Sequence, residues 1–233
     1  MAVKNSLQTK KEPASVYMAN GKEVRLTPEM VRRFLVSGDA DKVTFEEVSV
    51  FINLCKYNGL NPWLKEAYLI KFGTQPATLV VGKEAYLKRA ESHASYDGAE
   101  AGVIVLTNNQ IVYRTGTVTL TGEEVVGGWA EVFRKDRTHS TRCEVSFDEY
   151  AGYTKEGKLN QNWQKRPATM IRKVALVQAL REAFPALYGA MYTAEEQGYV
   201  EEETAVNVTP QIEPEAPTQQ AETVEAVDDG LPL

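Results

Sequence analysis

The sequence predicts an α+β fold, an antiparallel β-sheet meander with flanking helices, followed by a disordered acidic C-terminal tail. Three observations carry that prediction. Between 103 and 133 stand three runs rich in β-branched residues, 103–106, 111–120 and 125–133, separated by the turn pairs Asn108-Asn109 and Thr121-Gly122. On either side lie capped stretches of helical periodicity, 44–57 and 167–184. Beyond about 203 the chain is Glu, Pro, Gln, Thr and Ala with almost no large apolar residue, too little to offset the entropy of ordering.

The elements follow in order. Residues 1–26 are polar and aperiodic and read as a flexible N-terminal arm, 27–198 as the core, and 199–233 as the acidic tail. Thr27-Pro28-Glu29 places an N-cap before a proline at the first helical position, and Met30, Val31, Phe34 and Leu35 make a short amphipathic helix. Thr44 and Glu47 have capping-box spacing for the 44–57 helix, which Asn58-Gly59 stops. Strands are expected at 67–72 and 77–81, and a helix after Gly82 through Glu91. Ser146-Phe147-Asp148-Glu149 starts a short helix, 155–164 is loop-like, and a long helix runs from Pro167 to Phe184, ended by Pro185. A last helical turn is placed at 193–197.

The stretch from Asn58 to Tyr68 is the most informative. It ends a helix, turns at Asn61-Pro62, and resumes as a strand, so Trp63 and Lys65 occupy a constrained corner. From spacing alone, Trp63 reads as a core plug and Lys65 as a solvated charge.

Charge is divided unevenly. All 26 lysines and arginines precede residue 195, with 21 of the 32 acidic residues, so the body carries about +5 and the remainder −11. An acidic whole therefore does not exclude a polyanionic partner. Two cysteines, Cys55 and Cys143, are too few for a disulfide framework or zinc cluster and read as reduced thiols. Neither a signal-peptide core after Met1 nor an apolar run of membrane-spanning length is present, so a soluble intracellular protein is expected.

Motifs for catalysis are weak. Gly82-Lys83 is followed by Glu84 where a phosphate loop needs Ser or Thr, and His93 and His139 stand apart from any metal-ligand spacing. Asp97, Glu100, Glu131 and Asp136 could hold magnesium for a nuclease, though acidic residues at hairpin ends are more often solvated. The window 134–181 is instead basic, with 11 lysines and arginines against 5 acidic residues, and is interleaved with Tyr150, Tyr153 and Trp163. A basic groove with rings is the general recipe for holding single strands. Trp129 reads as core, while Trp163 reads equally as packing or contact. Arg181 falls within the apolar face of the long helix, either paired with a carboxylate or reaching into a cleft for phosphate.

Asn58 to Tyr68, Val80-Val81-Gly82, Tyr96-Asp97-Gly98, Trp129 to Arg137 and Pro167 to Pro185, in that order, resemble the phage recombination proteins of the RecT and Bet (Redβ) group over about 30–198. The resemblance implies ATP-independent binding of single-stranded DNA and annealing of complementary strands in homologous recombination, not an enzyme. It implies a core distantly similar to Rad52, no required cofactor with magnesium as a modulator of annealing, and a ring or helical homo-oligomer. Retention of the annealed duplex, a phage exonuclease partner, a host single-strand binding protein and residence in the host cytoplasm are implied as well. By position it assigns DNA contact to Lys65, Trp163, Arg172 and Arg181, with Lys155, Lys165, Arg166 and Lys173 in the same basic neighbourhood. Lys65 then reads as a groove residue, and Trp63 as the wedge that fixes its turn. The chain departs from Redβ at Ala168, Thr169 and Val174, where that protein carries basic residues. The alternatives are a magnesium-dependent nuclease and a strand-coating protein that does not anneal.

Overall fold

Ser15–Ala19 (β1) and Lys22–Leu26 (β2) pair as an antiparallel hairpin. In the computed structural model the described residues are 14–154, 156–189 and 191–197. Asn20 and Gly21 both take positive φ, the backbone that a tight two-residue hairpin needs. Tyr17, Ala19, Val24 and Leu26 face the core, and the Tyr17 hydroxyl donates to the Leu60 carbonyl at 2.8 Å. Residues 15–26 are thus an ordered hairpin where the sequence suggested an arm. The outward positions Val16, Met18, Glu23 and Arg25 hide a period-two pattern by mixing apolar with charged residues.

Pro28–Phe34 (α1) starts as expected, with Thr27 Oγ1 accepting from the Met30 N–H at 3.1 Å. Val36–Gly38 (β3) leads to Phe45–Tyr57 (α2), where Thr44 and Glu47 satisfy each other's backbone N–H groups and Val48, Phe51, Ile52 and Cys55 are buried. Ala67–Lys71 (β4) and Thr78–Val81 (β5) pair antiparallel, and β3 joins β4 in parallel. Lys83–Glu91 (α3) follows Gly82.

The main sheet contains Tyr96–Thr107 (β6), Gln110–Thr115 (β7), Glu124–Arg134 (β8) and Thr141–Ser146 (β9), in the order β7-β6-β8-β9. All of its pairings are antiparallel, as expected of the sheet. The order departs from a simple meander because β8 returns to the far side of β6 instead of pairing with β7. Length and burial account for it: β6 and β8 bury Val103, Val105, Ala130 and Val132 along a shared ladder, whereas β7 leaves Ile111 and Tyr113 to solvent and suits an edge.

Phe147–Tyr150 (α4) and Gln161–Lys165 (α5) precede Pro167–Ala183 (α6), so part of the expected 155–164 loop is helical. Asn160 explains it as an N-cap, its Oδ1 accepting from the Trp163 N–H at 3.1 Å. Helix α6 lies across β6, β8 and β9 and also touches α3. Ile171, Val174, Leu176, Val177 and Leu180 are buried, each contributing about 1.5–3 kcal/mol relative to exposure. After α6, the chain crosses to the other sheet: Tyr188 donates to the Tyr86 carbonyl at 2.9 Å, and Val81 N–H donates to the Tyr192 carbonyl at 2.9 Å. A single-turn 3₁₀ helix closes it at Glu195–Gln197, where a last turn was expected. No described helix is long and apolar enough to cross a membrane.

Candidate nucleic-acid interface

The corner after α2 is held by polar groups. Asn61 caps a 3₁₀ turn over Pro62–Leu64, its Oδ1 accepting from the Trp63 N–H at 3.1 Å. Lys65 ends that turn at φ 58° and ψ 26°, a left-handed conformation that costs a residue with a Cβ of order 1–3 kcal/mol. Glu66 holds the corner in place. Only 1% exposed, its carboxylate accepts from Asn61 N–H at 2.7 Å, from Asn20 Nδ2 at 3.2 Å and from Lys88 Nζ at 2.5 Å. The Gly82 N–H donates to the Glu66 carbonyl at 3.0 Å, and a Cβ at Gly82 would lie 2.9 Å from the Lys65 carbonyl oxygen, so that junction needs glycine. Lys65 itself is exposed, and no described carboxylate pairs with its side chain.

Trp63 is neither core plug nor wedge. It is 44% exposed, its indole N–H reaching the Arg25 carbonyl at 3.4 Å and its ring 6.2 Å from Phe34. Asn61 and Glu66 fix the turn instead. Neither stood out in the sequence, although a lone acid entering the apolar run Ala67–Lys71 is the kind of residue that is buried only with partners.

Around α6 the nominated residues divide. Trp163 is 2% exposed and packs edge-on against Phe147 at 5.3 Å, so it is core here and offers no face for stacking. Arg172 Nε donates to the Ala101 carbonyl at 3.1 Å, tying α6 to β6. Lys173 pairs with Glu195 at 2.8 Å. Arg181 pairs with Glu196 and lies 4.6 Å over the Tyr192 ring. Of the two fates its place on an apolar face allowed, the carboxylate partner is the one found. Glu196 also accepts from Gln178 Nε2 at 2.9 Å and from the Thr193 N–H at 2.8 Å, while Glu195 Oε2 is buried without a partner. Lys165 and Arg166, at the junction of α5 and α6, are exposed and pair with no described carboxylate. Lys155 lies outside the described residues.

In the rest of the basic window Arg134, Arg142 and Lys158 are paired, while Lys135 and Arg137 have no described carboxylate partner. Arg134 grips Asp136 and the Ala183 carbonyl at the end of α6, Arg142 meets Glu144 at 3.0 Å and Glu131 at 3.6 Å, and Lys158 meets Glu156 at 3.6 Å. The bond to Arg134 holds the Asp136 carboxyl down at about 2. Within the window, Lys135, Arg137, Lys165 and Arg166 are exposed and pair with no described carboxylate, and the same holds for Lys65 at the corner. Among the described residues, no three of His, Cys, Asp and Glu are grouped as metal ligands.

A family model described as RecT family matches residues 22–210. The chain is 25% identical over 202 residues to "Recombination protein bet" of Escherichia phage lambda, a match covering 85% of this chain and 68% of that protein. It is 28% identical over 144 residues to an uncharacterized protein of Ureaplasma parvum, covering 61% of this chain and 56% of the other. With one match running from β2 through the corner, both sheets and α6 to beyond Gln197, the chain belongs to the RecT family.

Proposed function

We propose that this recombination protein binds single-stranded DNA and anneals complementary strands without nucleotide hydrolysis. The family match over 22–210 carries the reading. Lys65, Lys165 and Arg166, exposed and paired with no described carboxylate, support it, since cations without carboxylate partners are the ones that gain by meeting phosphate. Gripping one strand by its backbone leaves base edges open, so a complementary strand is selected by Watson-Crick pairing and not by the protein. Three such contacts per protomer correspond to a slope of log affinity against log salt of roughly −2 on single strands. The reading includes retention of the duplex product, a Rad52-like core, assembly into a homo-oligomer, and cooperation with an exonuclease and a host single-strand binding protein. No cofactor is required in it, and magnesium only modulates annealing.

A salt-titrated annealing assay with two complementary oligonucleotides, run with and without magnesium and ATP, tests it. Faster duplex formation without ATP is expected. Loss of strands would identify a nuclease, and sequestered unpaired strands a coating protein.

A further inference from the structure

Beside the locked corner, the structure exposes aromatic surface to which the annealing reading gives no role. Trp63 and Phe34 are 44% and 48% exposed, with ring centroids 6.2 Å apart and planes at 54°. Trp129 and Trp163 are only 6% and 2% exposed, so Trp63 alone presents an indole to solvent. The Arg33 guanidinium lies 5.2 Å over the Phe34 ring, and the indole N–H is held by the Arg25 carbonyl. Arg25, Arg33 and Lys65 are all exposed and pair with no described carboxylate, Glu29 one turn before Arg33 included.

Rings with unpaired cations on neighbouring residues select the occupant. An apolar protein partner would have to desolvate three positive charges against nothing, whereas a single strand brings phosphates for the cations and base faces for the rings. Duplex DNA keeps its bases stacked and cannot use the rings. We propose that Phe34 and Trp63 form a stacking platform for bases of single-stranded nucleic acid, with Arg25, Arg33 and Lys65 taking the flanking phosphates. This rests on the single-strand binding reading above and adds to it where bases, as distinct from phosphates, touch the protein.

Tryptophan emission of the full chain tests it, using a homopolymeric single-stranded oligonucleotide and acrylamide as the neutral quencher. Stacking predicts that the oligonucleotide changes Trp63 emission and shields it from acrylamide, and that Trp63→Phe abolishes the signal while keeping most of the affinity. Removing both rings, Trp63→Ala with Phe34→Ala, is expected to weaken single-strand binding about five- to a hundredfold per base lost and to leave duplex binding nearly unchanged. A folded double variant with full single-strand affinity would overturn the platform, as would unchanged Trp63 emission when wild-type protein is saturated with DNA. Shielding that grows with protein concentration alone and ignores DNA would assign the face to a second copy of the chain and overturn it too. If the wild-type chain binds no oligonucleotide, the annealing reading falls with it. If it binds and anneals while Trp63 stays silent, the platform alone falls.

Discussion

The corner at 58–66 and the C-terminal half of α6 are built from the same ingredients, a carboxylate, a cation and an aromatic ring, and they use them in opposite ways. At the corner, Glu66 directs its oxygens to the Asn61 N–H, Asn20 and Lys88, so the acid fixes the turn, takes Lys88 as its cation and leaves the neighbouring Lys65 open. On α6, Glu195 and Glu196 bond directly to the Lys173 and Arg181 side chains and occupy them. Counting cations along a sequence therefore overstates what is available to a polyanion. What matters is which cation each buried acid takes as its partner.

The contrast is sharpest where a pair is broken. Arg181→Ala leaves Glu196 buried and unpaired, and unfolding in denaturant is expected to show a loss of about 3 kcal/mol, the low end for a buried pair because Arg181 is 24% exposed. Adding Glu196→Gln should recover much of it. An Arg181→Ala variant as stable as wild type would mean that the two regions do not differ as described.

Glu66→Ala is expected to cost about 2 kcal/mol, since it strands the Asn61 N–H and removes buried bonds to Asn20 and Lys88. Through the loosened corner it should also weaken DNA binding. Preserved affinity in a destabilised Glu66→Ala would separate the corner's geometry from Lys65's contribution.

Lys65 divides stability from binding most cleanly. Lys65→Gly relieves the left-handed backbone and should raise stability by up to about 1 kcal/mol, while reducing the salt slope on single strands by about 0.7. Lys65→Glu should lower affinity further, with a deficit that shrinks as salt rises. If both variants anneal like wild type, Lys65 is an ordinary surface charge.

The two thiols give the smallest and most local probe. Burial pushes Cys55, beneath the corner in α2, up to about 12, and Cys143, on β9, up to about 11. An unfolded thiol ionises near 8.5. The stability tied to each is thus fully present below about 8.5 and is lost as pH rises toward the folded values, by up to about 1.4 kcal/mol per pH unit per thiol. Both should alkylate slowly at neutral pH, with Cys143, the less buried, faster. A faster Cys55 would show the corner opening more readily than the sheet.

Local signals carried much of the fold. Thr27-Pro28, the Thr44–Glu47 box and Pro167 place their helices because caps act within one turn of the residues that encode them. Strand order was not legible, since the choice of β8 over β7 as the second partner of β6 depends on burial that only the assembled sheet defines. The site was legible in part. Lys65, Lys165 and Arg166 are exposed, whereas Trp163, which its neighbours Gln161, Asn162, Gln164 and Lys165 left equally open to packing or contact, turns inward against Phe147. The partners of Lys173 and Arg181 lie 22 and 15 residues away, across a chain reversal that no periodicity reports.

The short return from Tyr192 to Gln197 also bears on how shortened forms of the protein should be designed. A boundary drawn just before Glu195 removes the counter-charges of Lys173 and Arg181 together with the acidic residues beyond. Such a form would present two newly unmasked cations and bind nucleic acid more tightly for that reason alone. Only a boundary after Gln197, which reaches the Leu79 carbonyl at 3.2 Å, keeps the folded body's own charge balance while the distal acids are varied.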